Sequence, residues 1–338
     1  MTVATTYSDI SQRTQAYAEG RMLEHALPVL VLDALGDAPK ELPRNTAKTI
    51  TFRRPVPYPI SLTQLQEGVT PPPGTTQWED VSVEMGQYGG LQEISDQVAD
   101  MNEDPVLNVM SELSGQQAAE TKERLIWGVI RAGTNVTYVN AAGDAESRAE
   151  VNDVIDLGVQ RAITRSLKNQ RAHKYTKRLA ASPKFATEPV ASSFVAVGHT
   201  DTEQDIRDMI GFTPVERYGT PQFINEENEI GKVEEFRYIT SPVLVPWEGA
   251  GSATLNGMRS VGGDNVDVYP IIYMGQKAWA NVPLRGAGSM SPTVLNPGKV
   301  SPSDPLGQRG YVGWKMYFAA LITNEAWIHR AEVGVTDL

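Results

Sequence analysis

The chain of 338 residues contains no cysteine. Disulfides, thiolate metal sites and cysteine nucleophiles are therefore excluded, and any locking of the fold or of an assembly uses other side chains or no covalent bond. Only four histidines are present, at 25, 173, 199 and 329, and none has zinc-ligand spacing. Long apolar runs are lacking too. The best, LPVLVLDALG at 27–36, is short and holds Asp33, so no membrane-crossing segment is expected. The opening MTVATTYSDISQRT has no basic stretch followed by an apolar core, which reads as a protein without a signal peptide, made in a cytoplasm. The GxxxxGK[ST], GxGxxG and GxSxG patterns are absent. GAGSAT at Gly249 and GAGSMS at Gly286 match a phosphate loop only in part, and neither joins a strand to a helix in this reading. No catalytic residue, cofactor site or metal site is expected.

One sign of charge is missing over a long stretch. From Pro55 to Thr121 there is neither lysine nor arginine, while eleven acidic residues lie between Glu67 and Glu120. The net charge is −11, so the remainder of the chain is neutral. From Leu157 to Thr187 the balance inverts, with eight lysines or arginines and no acid. Two readings stand: solvated faces, or complementary contact surfaces. The basic stretch RAITRSLKNQRAHKYTKR puts Arg161, Arg165 and Lys168 near one helical face, but no nucleic-acid-reading motif accompanies it.

The segments that are present read as a mixed α+β chain. A helix is predicted through ISQRTQAYAEGRMLEHA and a strand at Thr49 to Arg53, and alternation resumes through DVSVEMGQYGGLQEIS. Gly89-Gly90 allows a bend there. Asp104-Pro105 opens a long helix to Arg131, ending near Gly133, and a second helix spans 150–170. SSFVAVGH is a buried strand, followed by a helix with Thr200 and Glu203 in capping-box spacing. EEFRYITSP and VDVYPIIYMGQKAWANV give further strands, and 249–263 is a loop rich in glycine and serine. YVGWKMYFAALI and AWIHRAEV, joined by Thr323-Asn324-Glu325, read as a closing hairpin. His199 and Asp201 in GHTD are read either as a strand end with a helix cap or as the acid–base pair of a hydrolase.

Between the two early strands lies EGVTPPPGTTQWEDV, whose three prolines cannot donate to a ladder. A two-stranded arm with so little apolar material is marginal alone. Something outside the arm must therefore hold it.

Many short blocks occur together in order: TTYSDIS, EGVTP, QYGG, EISD, EDPVLN, QAAET, AGTNV, ASPKFATEPV, FVAVGHTD, DIRDMIGFTPVERYG, IGKVEEFRYITSP and SDPLGQRGYVGWK. With these the chain resembles the major capsid proteins of tailed phages, specifically the coliphage N-four-like family, from about Thr6 to Val333, with the weakest match at 246–268. The resemblance implies the Hong Kong 97-type capsid fold. It assigns an N-terminal arm at 1–45, a peripheral-domain strand at 46–55 and an extended hairpin at 56–92. A peripheral domain at 93–149 then carries a spine helix at 104–131, followed by an axial domain at 150–299 and closing peripheral strands at 300–338. It implies self-assembly into hexamers and pentamers of an icosahedral shell around double-stranded DNA, held without sequence-specific contacts. On that reading the arm's missing core belongs to a neighbouring subunit, with intersubunit contacts expected at Glu67, Pro71, Pro72, Pro73, Trp78, Glu79 and Asp80, and the acids among these are expected to meet Arg165, Lys168 or Arg171 of an adjacent copy. Portal protein and scaffold or decoration proteins are the implied partners, in a virion assembled in a bacterial host cytoplasm. An encapsulin-like shell for enzyme cargo is the alternative on the same fold.

Overall fold

FVAV at 194–197 and YPIIYM at 269–274 show no polar alternation, as expected of strands covered on both faces. The computed structural model describes residues 31–37, 41–45, 47–62, 64, 67–68, 70, 73–96, 106–179, 187–218, 224, 228–253, 257–284, 291–295, 297–298 and 304–338. The expected N-terminal helix and the Asp104-Pro105 helix start lie outside the described residues.

In chain order the elements are β1 (Thr49–Pro55), β2 (Trp78–Glu84), β3 (Gly86–Ser95), α1 (Val106–Ile130) and β4 (Val136–Tyr138). Next come α2 (Leu157–Asn169), β5 (Tyr175–Leu179), β6 (Thr187–Gly198), α3 (Glu203–Asp208) and β7 (Phe212–Pro214). The chain continues with β8 (Glu229–Val233), β9 (Phe236–Thr240), β10 (Tyr269–Met274), β11 (Trp279–Pro283) and β12 (Ser291–Leu295), and closes with β13 (Arg309–Ile322) and β14 (Ile328–Val333). Among the described residues three sheets result. β1 pairs with β2 alone; β3, β13, β12 and β11 form a four-stranded sheet; an eight-stranded sheet runs β4-β14-β10-β6-β9-β8-β7 with β5 beside β6.

The eight-stranded sheet is a shared wall. Val195, Val197, Ile239, Ile272 and Met274 face one core, with Trp127, Trp279 and Trp314. Their alternates Phe194, Ala196, Tyr238, Ile271 and Tyr273 face a second core, closed by Ile163 and Leu167 of α2 and by Ile206. Strand periodicity of two thus sends successive apolar residues to opposite cores.

The long helix α1, about 38 Å at 1.5 Å per residue, lies on β13 and β3. The middle of its buried stripe is not made of large apolar residues. Ser111, Ser114, Gly115, Ala118 and Ala119 carry the middle, before Ile126, Trp127 and Ile130. Small residues let the helix approach the sheet. A Cβ at Gly90 of β3 would stand 2.7 Å from Gln117 Oε1 and 2.9 Å from Trp314 Nε1, in the space where that indole donates to Gln117 at 3.2 Å. Gly89-Gly90 does not interrupt the strand; it lies inside an unbroken ten-rung pairing of β3 with β13. Val109 and Leu113, one helical turn apart, are exposed on the outer face.

Three more expectations are corrected. The second helix begins at Leu157, not 150, because the Asp156 carboxylate accepts the Val159 N–H at 2.7 Å and caps it there. A short 3-10 turn at Arg148–Glu150 and a loop precede it, with Val151 and Ile155 of that loop buried. The turn after β6 is capped by His199, whose Nδ1 accepts the Asp201 N–H at 3.1 Å, rather than by Thr200. The closing strands do not form a hairpin: β13 pairs in the four-stranded sheet and β14 with β10 and β4 in the other. The connector is a short 3-10 turn, and its Trp327 donates to the Gln170 carbonyl at 3.0 Å, steering the chain out of the first sheet. The final strand placed with the peripheral region therefore belongs to the shared wall.

Candidate assembly surface

The arm starts earlier than expected. β1, read as a peripheral strand at 46–55, is one leg of the arm, paired from Thr49↔Glu84 to Pro55↔Trp78. Residues 86–92, read as part of the arm, belong to β3 in the four-stranded sheet.

The base of the arm has a core in its own subunit. Ile50 and Phe52 stand opposite Val83 and Val81, and all four pack on Leu42, Met85, Ala280, Val282, Ala319 and Leu321. Beyond Pro55 that support ends. One further ladder bond, Val56 N–H to the Gln77 carbonyl at 2.9 Å, continues it, and Tyr58 reaches the Thr76 hydroxyl across the tip. Tyr58, Ile60, Leu62 and Trp78 are 64%, 77%, 91% and 56% exposed. The arm beyond its base thus leaves four large apolar side chains open.

The candidate contact residues distribute unevenly. Trp78 occupies the last rung, and Glu67 and Pro73 are exposed at the tip. Pro71 and Pro72 lie outside the described residues. Glu79 and Asp80 already have partners inside the arm: Asp80 accepts from Arg53 Nε at 2.7 Å and Nη2 at 3.0 Å, and Glu79 accepts from Arg54 Nε at 3.1 Å. The Arg53 hydrogen bonds hold the Asp80 carboxyl below its ordinary range. Lys168 pairs with Glu235 of its own chain. These three residues are thus committed within the subunit, because antiparallel pairing sets 53 against 80 and 54 against 79, and α2 against the β8–β9 turn. Arg165 and Arg171 are exposed, with no ion pair among the described residues. The signal that sequence reading missed was the Arg53-Arg54 pair directly opposite the two acids in strand register.

A second contact surface faces the N-terminal segment. Glu123, 1% exposed on α1, accepts the Leu32 N–H at 3.0 Å on both oxygens and the Asp33 N–H at 3.3 Å. Its neighbour Lys122 pairs with Asp33 at 2.7 Å, and Asn281 donates to the same carboxylate at 2.8 Å. Burial pushes the Glu123 carboxyl up to about 8, against the opposing pull of the amide donors. A raised carboxyl pKa means the docked state holds a proton that the free state has already lost, so docking weakens as pH rises from about 4.5 to about 8 and then levels off. The thermal midpoint of the unassembled protein is expected to fall over that window, and Glu123→Gln to flatten this part of the profile. An unchanged profile in the variant would show that another group titrates.

His199 and Asp201 form no catalytic pair. The ring accepts a backbone N–H at Nδ1 and is hydrogen-bonded to the Pro242 carbonyl, while burial lowers its proton affinity. Nδ1 lies 3.3 Å from Asp201 Oδ2, but as an acceptor it has no proton for that carboxylate. Asp201 is held instead by Arg259 at 2.7 Å and Tyr269 at 2.8 Å. Among the described residues no acid and histidine cluster suits a metal ion, and no helix is long and apolar enough to cross a membrane.

A long helix laid on a narrow sheet, a broad mixed sheet beside it and a projecting ribbon define the Hong Kong 97-type capsid fold. Solved structures share it. The capsid of Ralstonia phage GP4 matches with a TM-score of 0.60 at 11% identity, covering 89% of this chain and 87% of that one. The capsid asymmetric unit of cyanophage Pam1 matches with a TM-score of 0.60 at 10% identity, covering 100% and 97%. The phage capsid protein family profile matches residues 78–330, and the chain belongs to that family, one of structural proteins and not of enzymes. A curated relative, the major capsid protein of Pseudomonas phage KPP21, is 22% identical over 262 residues, 72% of this chain. The chain spans 64% of that relative's length.

Proposed function

We propose that this chain is a major capsid protein whose copies form hexamers and pentamers and close into an icosahedral shell around phage double-stranded DNA. The observation that carries this is the arm: a base packed in its own subunit and apolar side chains beyond it that stay exposed among the described residues. Family membership supports the same reading. The quoted sequence blocks favour the coliphage N-four-like kind, with a portal protein and scaffold or decoration proteins as partners, assembled in the bacterial cytoplasm into the virion. The domain reading that follows takes the four-stranded sheet with α1 as peripheral and the eight-stranded sheet as axial. The net charge of −11 suits a DNA container, since a cationic lining would hold phosphates through counterion release.

Co-expression with the other phage head proteins, followed by electron microscopy, is expected to show closed shells. The arm has no lysine from Pro55 to Gln92 and the chain no cysteine. Purified shells should therefore dissolve in boiling detergent to one monomer band. Only monomers across a wide concentration range would refute the assembly, and a ladder of covalent oligomers would refute non-covalent locking.

A further inference from the structure

The end of α1, the turn at Arg148, β14 and the loop through Trp247 meet at one corner. Three guanidinium groups surround the Trp247 indole there. The Arg148 guanidinium carbon stands 3.6 Å from the ring centroid, that of Arg131 5.3 Å and that of Arg330 5.6 Å. One carboxylate serves two of them. Glu332, fully buried, accepts from Arg148 at 2.6 Å and 2.9 Å and from Arg330 Nε at 2.8 Å. Arg330 also donates through Nη1 to the Arg131 carbonyl and, at 2.9 Å, to the Gly133 carbonyl, at the C-terminal end of α1.

Arg131 is what remains. It is partly buried and has no carboxylate partner among the described residues. Glu248, next to Trp247 in the chain, is exposed and makes no ion pair with it among those residues. Burial, then Arg148 and Arg330, all lower the proton affinity of Arg131. The corner holds three cations against one anion in a chain with 41 acids and 30 lysines and arginines, so local charge runs opposite to the global balance.

We propose that the Arg131–Arg148–Trp247 corner binds a single compact oxyanion, with Arg131 as its principal partner. A guanidinium presents parallel N–H groups that match the two oxygens of a carboxylate or phosphate. Contact with an indole face orients the group at little entropic cost. The chemistry is the same for free phosphate and for an aspartate or glutamate side chain of a second copy.

The sign of one substitution tests it. In chloride buffer, unassembled Arg131→Gln protein should melt above the parent chain, because repulsion from Arg148 and Arg330 is relieved. Adding inorganic phosphate at constant ionic strength and pH should raise the parent's Tm saturably by a few degrees. The variant should show no saturable rise, so the order of the two reverses, and Arg131→Lys should respond more weakly than the parent. Equal phosphate responses in parent and Arg131→Gln would overturn the site, as would a variant that melts lower by the same amount in both buffers. Repeating the titration on assembled shells separates the sources: loss of the response means a carboxylate of a second copy fills the corner, and persistence means a free anion does. Only that last arm rests on the shell reading; failure to form shells would leave the first comparison intact.

Discussion

Serine at Tyr58, Ile60 and Leu62 together is expected to abolish shell formation while the subunit folds as before. These side chains are 64%, 77% and 91% exposed in the single chain, so little intramolecular packing is lost. Buried against another copy, each would contribute about 1.5–3 kcal/mol, repeated at every subunit. The checks are microscopy of co-expressed particles and thermal unfolding of the unassembled variant. Shells of normal heat stability would show that the tip is not a clamp. The charge hypothesis uses the same assay. With Glu79, Asp80 and Lys168 already paired in their own chain, Glu67 against Arg165 or Arg171 of an adjacent copy is the pairing left. Glu67→Lys should weaken assembly modestly and Arg165→Glu restore it in part. Normal assembly of Glu67→Lys, or no rescue, would show that both charges are merely solvated.

Glu332→Ala is expected to give the largest loss of subunit stability among single changes at the Trp247 corner, about 3–5 kcal/mol, because it strands buried or half-buried charge without a partner. Arg330 is 9% exposed at its side chain and Arg148 32%, and Glu332 is the carboxylate both of them use. The consequence reaches beyond one ion pair, since Arg330 also holds the Arg131 and Gly133 carbonyls just past the end of α1. Urea unfolding of the unassembled protein measures the change. Glu332→Gln, which retains an acceptor but no charge, should fall between the two. A loss under about 1 kcal/mol for the alanine variant would mean that water and the Trp247 face carry these guanidiniums unaided.

Local patterns were legible wherever one physical rule dominated. Strand β1 follows from alternation at Thr49 to Arg53, and α1 from a long run without an internal proline. The buried strands at 194–197 and 269–274 follow from unbroken apolar residues. The open arm was legible for the same reason: three prolines forbid a ladder, and a ribbon with so little apolar material is marginal alone. Misreadings came where a single side chain outweighed periodicity. Asp156 moved a helix start to Leu157 by capping it, and His199 took the cap expected of Thr200.

The amino-acid sequence by itself determined what kinds of chemistry are closed to this protein and which segments must seek burial, because composition and periodicity are local properties. Tertiary structure alone decided which strands share a sheet, since pairing is chosen by contacts far apart in sequence. It set Arg53 and Arg54 against Asp80 and Glu79, and so took two expected intersubunit charges back into the subunit. It split the last two strands between two sheets. It also gathered Arg131, Arg148, Trp247, Arg330 and Glu332 at one corner. No spacing rule joins those five positions; only the folding of a helix end, a loop and an inner strand onto one another brings their charges within reach.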